Sequence, residues 1–154
     1  MKSQESLIGK EYSVKVNDVI AFALVPQEPI LFYEIDQPHS LTLFNRIKDT
    51  LNDIYLAFDL NHQIYETKHG YHIVVEAYTW EQVIDLRNTF LSWIDVNYFD
   101  DNPTKAALRV TRKADITTGE TISPAPKLIH SSIKGLGDLR KSVKTDIEIY
   151  RTTV

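Results

Sequence analysis

The chain has 154 residues, 43% of them hydrophobic, and a formal net charge of −4, which suits a single domain over 1–154 with a core of ordinary size. It contains no Cys, so disulfide frameworks, thiol nucleophiles and thiolate metal sites are excluded, and any metal must bind through oxygen or imidazole. It also lacks any apolar run of the roughly 18 residues a membrane span needs, and Met1-Lys-Ser-Gln-Glu-Ser-Leu7 lacks the apolar centre of a signal peptide, so a cytoplasmic protein without membrane contact is expected.

In chain order, Val14 to Val25 reads as one strand closed by Pro26 and Pro29, and Ile30 to Ile35 as a second. Asp36-Gln-Pro-His-Ser40 has turn chemistry, with Ser40 placed to cap a helix whose Phe44, Ile47, Leu51 and Ile54 keep helical spacing. Tyr55 to Leu60 and Gln63 to Ala77 are β-rich and read as a hairpin about Asn61-His62. Thr79-Trp-Glu-Gln82 has capping-box spacing and opens a second helix along Val83, Leu86, Phe90 and Trp93. After an acidic loop, Asp95 to Thr104, the stretch Ala107 to Lys113 alternates as a strand does, and Val143 to Tyr150 alternates again. The expected fold is α+β: a mostly antiparallel sheet with two main helices on one face and a ferredoxin-like or RNA-recognition-like core. That core is expected at about 12–116, with a basic extension over 117–154.

The charge is unevenly spread. Residues 1–104 carry 7 Lys and Arg against 16 Asp and Glu, whereas residues 105–154 carry 10 against 5. A basic C-terminal third is the footprint of a polyanion-binding surface, or else it neutralises the acidic part within the fold.

Three groups of residues can carry chemistry. Glu34 and Asp36 stand at i and i+2 near a strand end, so both point to one face and can hold a hard divalent ion, Mg²⁺ or Mn²⁺, which keeps its waters and takes up phosphate oxygens. His72 follows Gly70 and opens the apolar run Ile73-Val-Val75, where an imidazole either contacts phosphate, moves a proton, or is simply hydrogen-bonded within the structure. Lys68 and His69 lie beside it, and Glu66 and Glu76 are further carboxylates. Arg109, Arg112 and Lys113 form one basic cluster and Lys134, Arg140, Lys141 and Lys144 a second, both suited to a phosphate chain and both equally explained as solvated surface.

Phe32-Tyr-Glu-Ile-Asp36 followed by Thr67-Lys-His-Gly-Tyr-His72 resembles the first two motifs of the archaeo-eukaryotic-type primases and their small viral and plasmid relatives. Asp100-Asp-Asn-Pro103 through Arg109 to Lys113 resembles the tail of that module. The resemblance implies Glu34 and Asp36 as metal ligands, His72 as a nucleotide-phosphate contact, and metal-dependent cleavage or nucleotidyl transfer on DNA in a virus or plasmid, with location in the host cytoplasm if viral. Glu34 stands where the family usually has Asp, and the hydrophobic-Asp third motif is missing after the second helix. The expected partner is nucleic acid, DNA first, with a homodimer left open. Two other functions compete with this one: a non-catalytic nucleic-acid binder, and a small inhibitor whose acidic part meets a basic protein.

Overall fold

The computed structural model describes residues 10–16, 19–26, 28–91, 93 and 108–132. The expected strand Val14 to Val25 is instead half of a hairpin: β1 (Lys10–Val16) pairs antiparallel with β2 (Val19–Val25), the register closing at Val16↔Val19. Then follow β3 (Ile30–Ile35) and α1 (Leu41–Phe58). The Ser40 side chain accepts the Leu43 N–H at 3.0 Å, which satisfies one of the orphan donors of the first turn. Ile47, Leu51 and Ile54 are the buried stripe of this helix.

Tyr55 to Phe58, expected as a strand, form the last turn of α1. Their β-forming aromatics are overruled because the helix anchored by the buried Ile47, Leu51 and Ile54 propagates one more turn, adding one backbone hydrogen bond per residue, although Leu56 and Phe58 themselves stay exposed. The helix stops at Asp59, whose φ of 57° is left-handed and whose N–H reaches Tyr55 O at 2.8 Å. The hairpin therefore lies later than expected. Its strands are β4 (His62–Glu66) and β5 (Tyr71–Glu76), joined by Thr67–Gly70, where the Thr67 N–H donates to Gly70 O at 2.9 Å. α2 (Trp80–Leu91) carries the expected cap. Thr79 Oγ1 accepts the Gln82 N–H at 3.1 Å, and Gln82 Oε1 reaches back to the Tyr78 N–H at 2.8 Å.

The expected strand Ala107 to Lys113 is broken into β6 (Leu108–Arg109) and β7 (Lys113–Asp115), followed by β8 (Thr121–Ser123) and β9 (Lys127–Ser131). β8 and β9 pair within the sheets, so residues 121–131 belong to the fold rather than to an extension. The acidic loop at 95–104, the terminal strand at 143–150 and the basic residues Lys134, Arg140, Lys141 and Lys144 lie outside the described residues.

Two antiparallel sheets result, one ordered β1-β2-β7-β8 with β6 also on β2, the other β3-β5-β4-β9. The α+β class is thus observed. Leu31, Tyr33 and Ile35 on β3, Ile64 on β4 and Ile73 and Val75 on β5 share one face of the second sheet and pack with Ile47, Leu51, Val83, Leu86 and Phe90 of the two helices. The run β3-α1-β4-β5-α2 has the order of a split βαβ unit. However, the fourth strand, β9, joins beside β4, whereas a ferredoxin-like core places its closing strand beside the first.

On the other face of this sheet Phe32, Gln63, Tyr65, His72 and Val74 are all buried, whereas Glu34 opens to solvent. No helix among the described residues is long and apolar enough to cross a membrane.

Candidate functional site

Strand pairing brings the two sequence motifs together. Glu34 and His72 are direct cross-strand partners on β3 and β5, on the face turned away from the helices. His72 Nε2 lies 3.4 Å from Glu34 Oε1. Their burial is opposite: the His72 side chain is 5% accessible and that of Glu34 74%. The imidazole therefore sits behind the carboxylate and holds it, while the carboxylate is the group presented outward. The second nitrogen, His72 Nδ1, is buried without a hydrogen-bond partner among the described residues.

Two cations complete the surroundings of Glu34. Its carboxyl is held below the usual carboxylate range first by the hydrogen bond from His72, then by the charges of His72, Lys113 and Arg109, against partial burial that pushes the other way. Arg109 comes from the first sheet, where it pairs with Ala23 on the face bearing Ala21 and Ala23. Burial disfavours its charge and Glu34 supports it. Its guanidinium also donates to Thr111 O and, at 3.1 Å, to Pro124 O, which fixes its position. Thus three residues, His72, Arg109 and Lys113, drawn from three strands and both sheets, act on the Glu34 carboxylate.

Asp36 stands two residues past Glu34, just beyond the strand end, and is exposed. Lys68 extends across the turn to donate to Ile122 O at 3.0 Å, tying the β4–β5 turn to β8. Arg112 does not join the cluster. It is buried, and one of its terminal nitrogens donates to Gly119 O and Thr121 Oγ1, each at 2.9 Å, so its charge closes the β7–β8 connection. Glu76 is buried at the opposite end of β5, paired with Ile30, and is remote from Glu34 in the register.

Of the supports of this site, sequence reading offered Gly70 as a place of close backbone approach or a bulge, and it did not single out His39. A Cβ on Gly70 would stand 1.8 Å from Ile35 O, so only glycine lets the β4–β5 turn lie against the end of β3 next to Asp36. His39, in the connection to α1, latches the same turn through Nε2, 2.6 Å from Thr67 O and 3.1 Å from Gly70 O. Both partners are acceptors, so Nε2 carries the hydrogen. Its Nδ1 lies 3.8 Å from Glu66 Oε1. The one visible signal was a histidine following Pro38 immediately before the cap residue Ser40.

In donor chemistry Glu34 and Asp36 are two exposed carboxylates two residues apart in the chain. Among the described residues no group of three or more His, Asp or Glu gathers as a metal cage. Two carboxylates match the way Mg²⁺ is held when waters and substrate phosphates fill the remaining positions, and a carboxylate oriented from behind by an imidazole is a familiar arrangement around ligating oxygens. Comparison of the chain with known protein families, with curated proteins and with solved structures finds no match.

Proposed function

We propose that this protein carries out metal-dependent phosphodiester chemistry on DNA, cleavage or nucleotidyl transfer, as a diverged small relative of the archaeo-eukaryotic-type primase module. The observation that supports it is the Glu34–His72 pair: an exposed, ionised carboxylate held by a buried imidazole, with Arg109 and Lys113 close by and the exposed Asp36 two residues further along the chain. Glu34 and Asp36 are the ligands of Mg²⁺ or Mn²⁺, which when bound offsets charge on the reacting phosphate. His72 keeps Glu34 oriented and ionised. Lys113, exposed on β7, and Arg109 are the cations that draw a phosphate chain toward the carboxylates.

The test is incubation of the protein with labelled single- and double-stranded DNA, with Mg²⁺, Mn²⁺ or chelator, and with or without nucleotides. Shortened or extended products that need the metal and disappear in Glu34→Gln and Asp36→Asn are expected. Unaltered DNA under every condition would remove the enzymatic reading.

One observation favours a second reading, DNA binding without chemistry: Glu34 already lies between two cations, and no third acidic ligand joins it among the described residues. That reading predicts binding that weakens steeply with salt, is indifferent to chelator, and falls in Lys113→Ala.

A further inference from the structure

The outer surface of the two helices carries a feature unrelated to Glu34. Between α1 and α2 runs a groove of about 770 Å³. Ile54, Phe58, Tyr78, Leu86 and Trp93 supply its apolar lining. Phe58 and Tyr78 are 56% and 57% exposed, large aromatic surfaces that nothing among the described residues covers.

The charged residues that line this groove are acidic, and the nearby Arg46 guanidinium is engaged with the Trp93 ring, 4.2 Å from its centroid. Asp53, Glu81 and Asp85 line it, and no Lys or Arg does. α1 ends at the groove with Ala57 and Phe58, and its last turn holds no basic residue to offset the negative end of the helix dipole. The positive first turn of α2 is already answered by Glu81 and by the reciprocal Thr79 and Gln82 cap. An apolar floor with an acidic rim is complementary to a segment that alternates apolar and cationic residues at helical spacing.

We propose that the groove between α1 and α2 is a docking site for a basic amphipathic helix of a partner protein, with its apolar stripe on Phe58, Tyr78 and Trp93 and its Lys or Arg residues against Asp53, Glu81 and Asp85. The partner's cations also supply the charge that the end of α1 lacks. Electrostatic complementarity sets the orientation and the rate of docking, and the buried aromatics supply the affinity.

The probe is a fluorescein-labelled Leu/Lys peptide with helical periodicity, read by anisotropy against the full chain. Its controls are the same residues scrambled so that no apolar face forms, and a Leu/Glu counterpart. The expected result is saturable binding of the periodic basic peptide, with the scrambled and acidic peptides weaker by roughly tenfold or more. Asp53→Lys with Asp85→Lys raises Kd by a similar roughly tenfold factor, as does Phe58→Ser. The reversal Glu120→Lys, in the β7–β8 connection and outside the groove lining, leaves Kd unchanged. Circular dichroism and thermal melting of every variant establish that it is folded. Equal binding of the scrambled peptide, indifference to the Asp53 and Asp85 reversal, or no binding by any peptide would overturn the proposal. So would sedimentation showing a dimer that Phe58→Ser dissociates, since the groove would then belong to a second copy.

Discussion

Two buried histidines of one sheet, on adjacent strands and opposite faces, are put to different uses. His62 on β4 and His72 on β5 are 1% and 4% exposed. His72 faces the exposed carboxylate of Glu34, whereas His62 faces another imidazole, His130 on β9, with the two Nε2 atoms 3.2 Å apart. The ring centroids are 5.3 Å apart, farther than the nitrogens, so the rings meet nitrogen to nitrogen. A hydrogen bond between two imidazoles needs one N–H and one lone pair, and protonating both nitrogens destroys it. His62 is accordingly pushed down to about 4, by burial first and by His130 second. At equal burial, the partner decides: a carboxylate makes a site that presents charge to solvent, and a second imidazole makes a neutral seam that joins β9 to the sheet.

The largest expected effect breaks the His72 side at its support. Gly70→Ala forces a methyl group to within 1.8 Å of the Ile35 carbonyl oxygen, a backbone atom that cannot move aside, and should cost more than about 3 kcal/mol in urea unfolding. Gly119→Ala is the contrast. Its φ of 74° is left-handed but nothing lies within 4 Å of the added methyl, so about 1 kcal/mol is expected.

Next comes the neutral seam. The His62 pKa is lowered in the fold from 6.5 to about 4, so between those values the unfolded chain binds a proton that the folded chain does not. Stability from this group is complete above about pH 6.5 and declines as pH falls toward 4, by an upper figure of about 3 kcal/mol. Urea titrations at pH 7 and pH 4.5 check it, and His62→Leu should flatten the difference between them.

Smaller still is the latch beside that seam. The hydroxyl of Ser132 accepts the His62 N–H at 3.3 Å and donates to Asn61 Oδ1 at 3.1 Å, all buried. Ser132→Ala should cost about 1 to 2 kcal/mol. The smallest effect on stability sharpens the comparison most: Glu34→Gln, at an exposed position, should change unfolding by less than about 1 kcal/mol while abolishing any metal-dependent turnover. A site residue and a seam residue are thereby told apart.

What was legible in the chain is what local chemistry decides. Ser40, the Thr79 and Gln82 cap, and the stripes from Ile47 to Ile54 and from Val83 to Phe90 were readable because caps and helical periods need only neighbours in sequence. Tyr55 to Phe58 was misread because aromatic residues favour strands only until a helix already packed on the sheet carries them along. The hairpin turn was misplaced because Asn61 looks like a turn residue, whereas it is buried and bonded to Glu76 and Ser132. Glu34 and His72 were both identified, yet which of them faces solvent, and that Arg109 and Lys113 of the first sheet come near Glu34, depends on tertiary packing that no local pattern carries. Arg112 was read as a phosphate contact for the same reason: a buried guanidinium that closes a turn looks, in sequence, like any exposed one. Gly70 was legible as a place of close approach but not the strand it approaches, and His39 was not legible at all, because both act through contacts with residues about thirty positions away in the chain.

The most direct test of the central claim is paramagnetic broadening by Mn²⁺, followed in the ¹⁵N–¹H spectrum of the full chain. Selective loss of the Glu34, Asp36 and His72 amide signals at low Mn²⁺, reversed by chelator and absent in Glu34→Gln and Asp36→Asn, is the predicted result. Broadening confined to the acidic groove at Asp53, Glu81 and Asp85, with the Glu34 region untouched at every concentration, would contradict it.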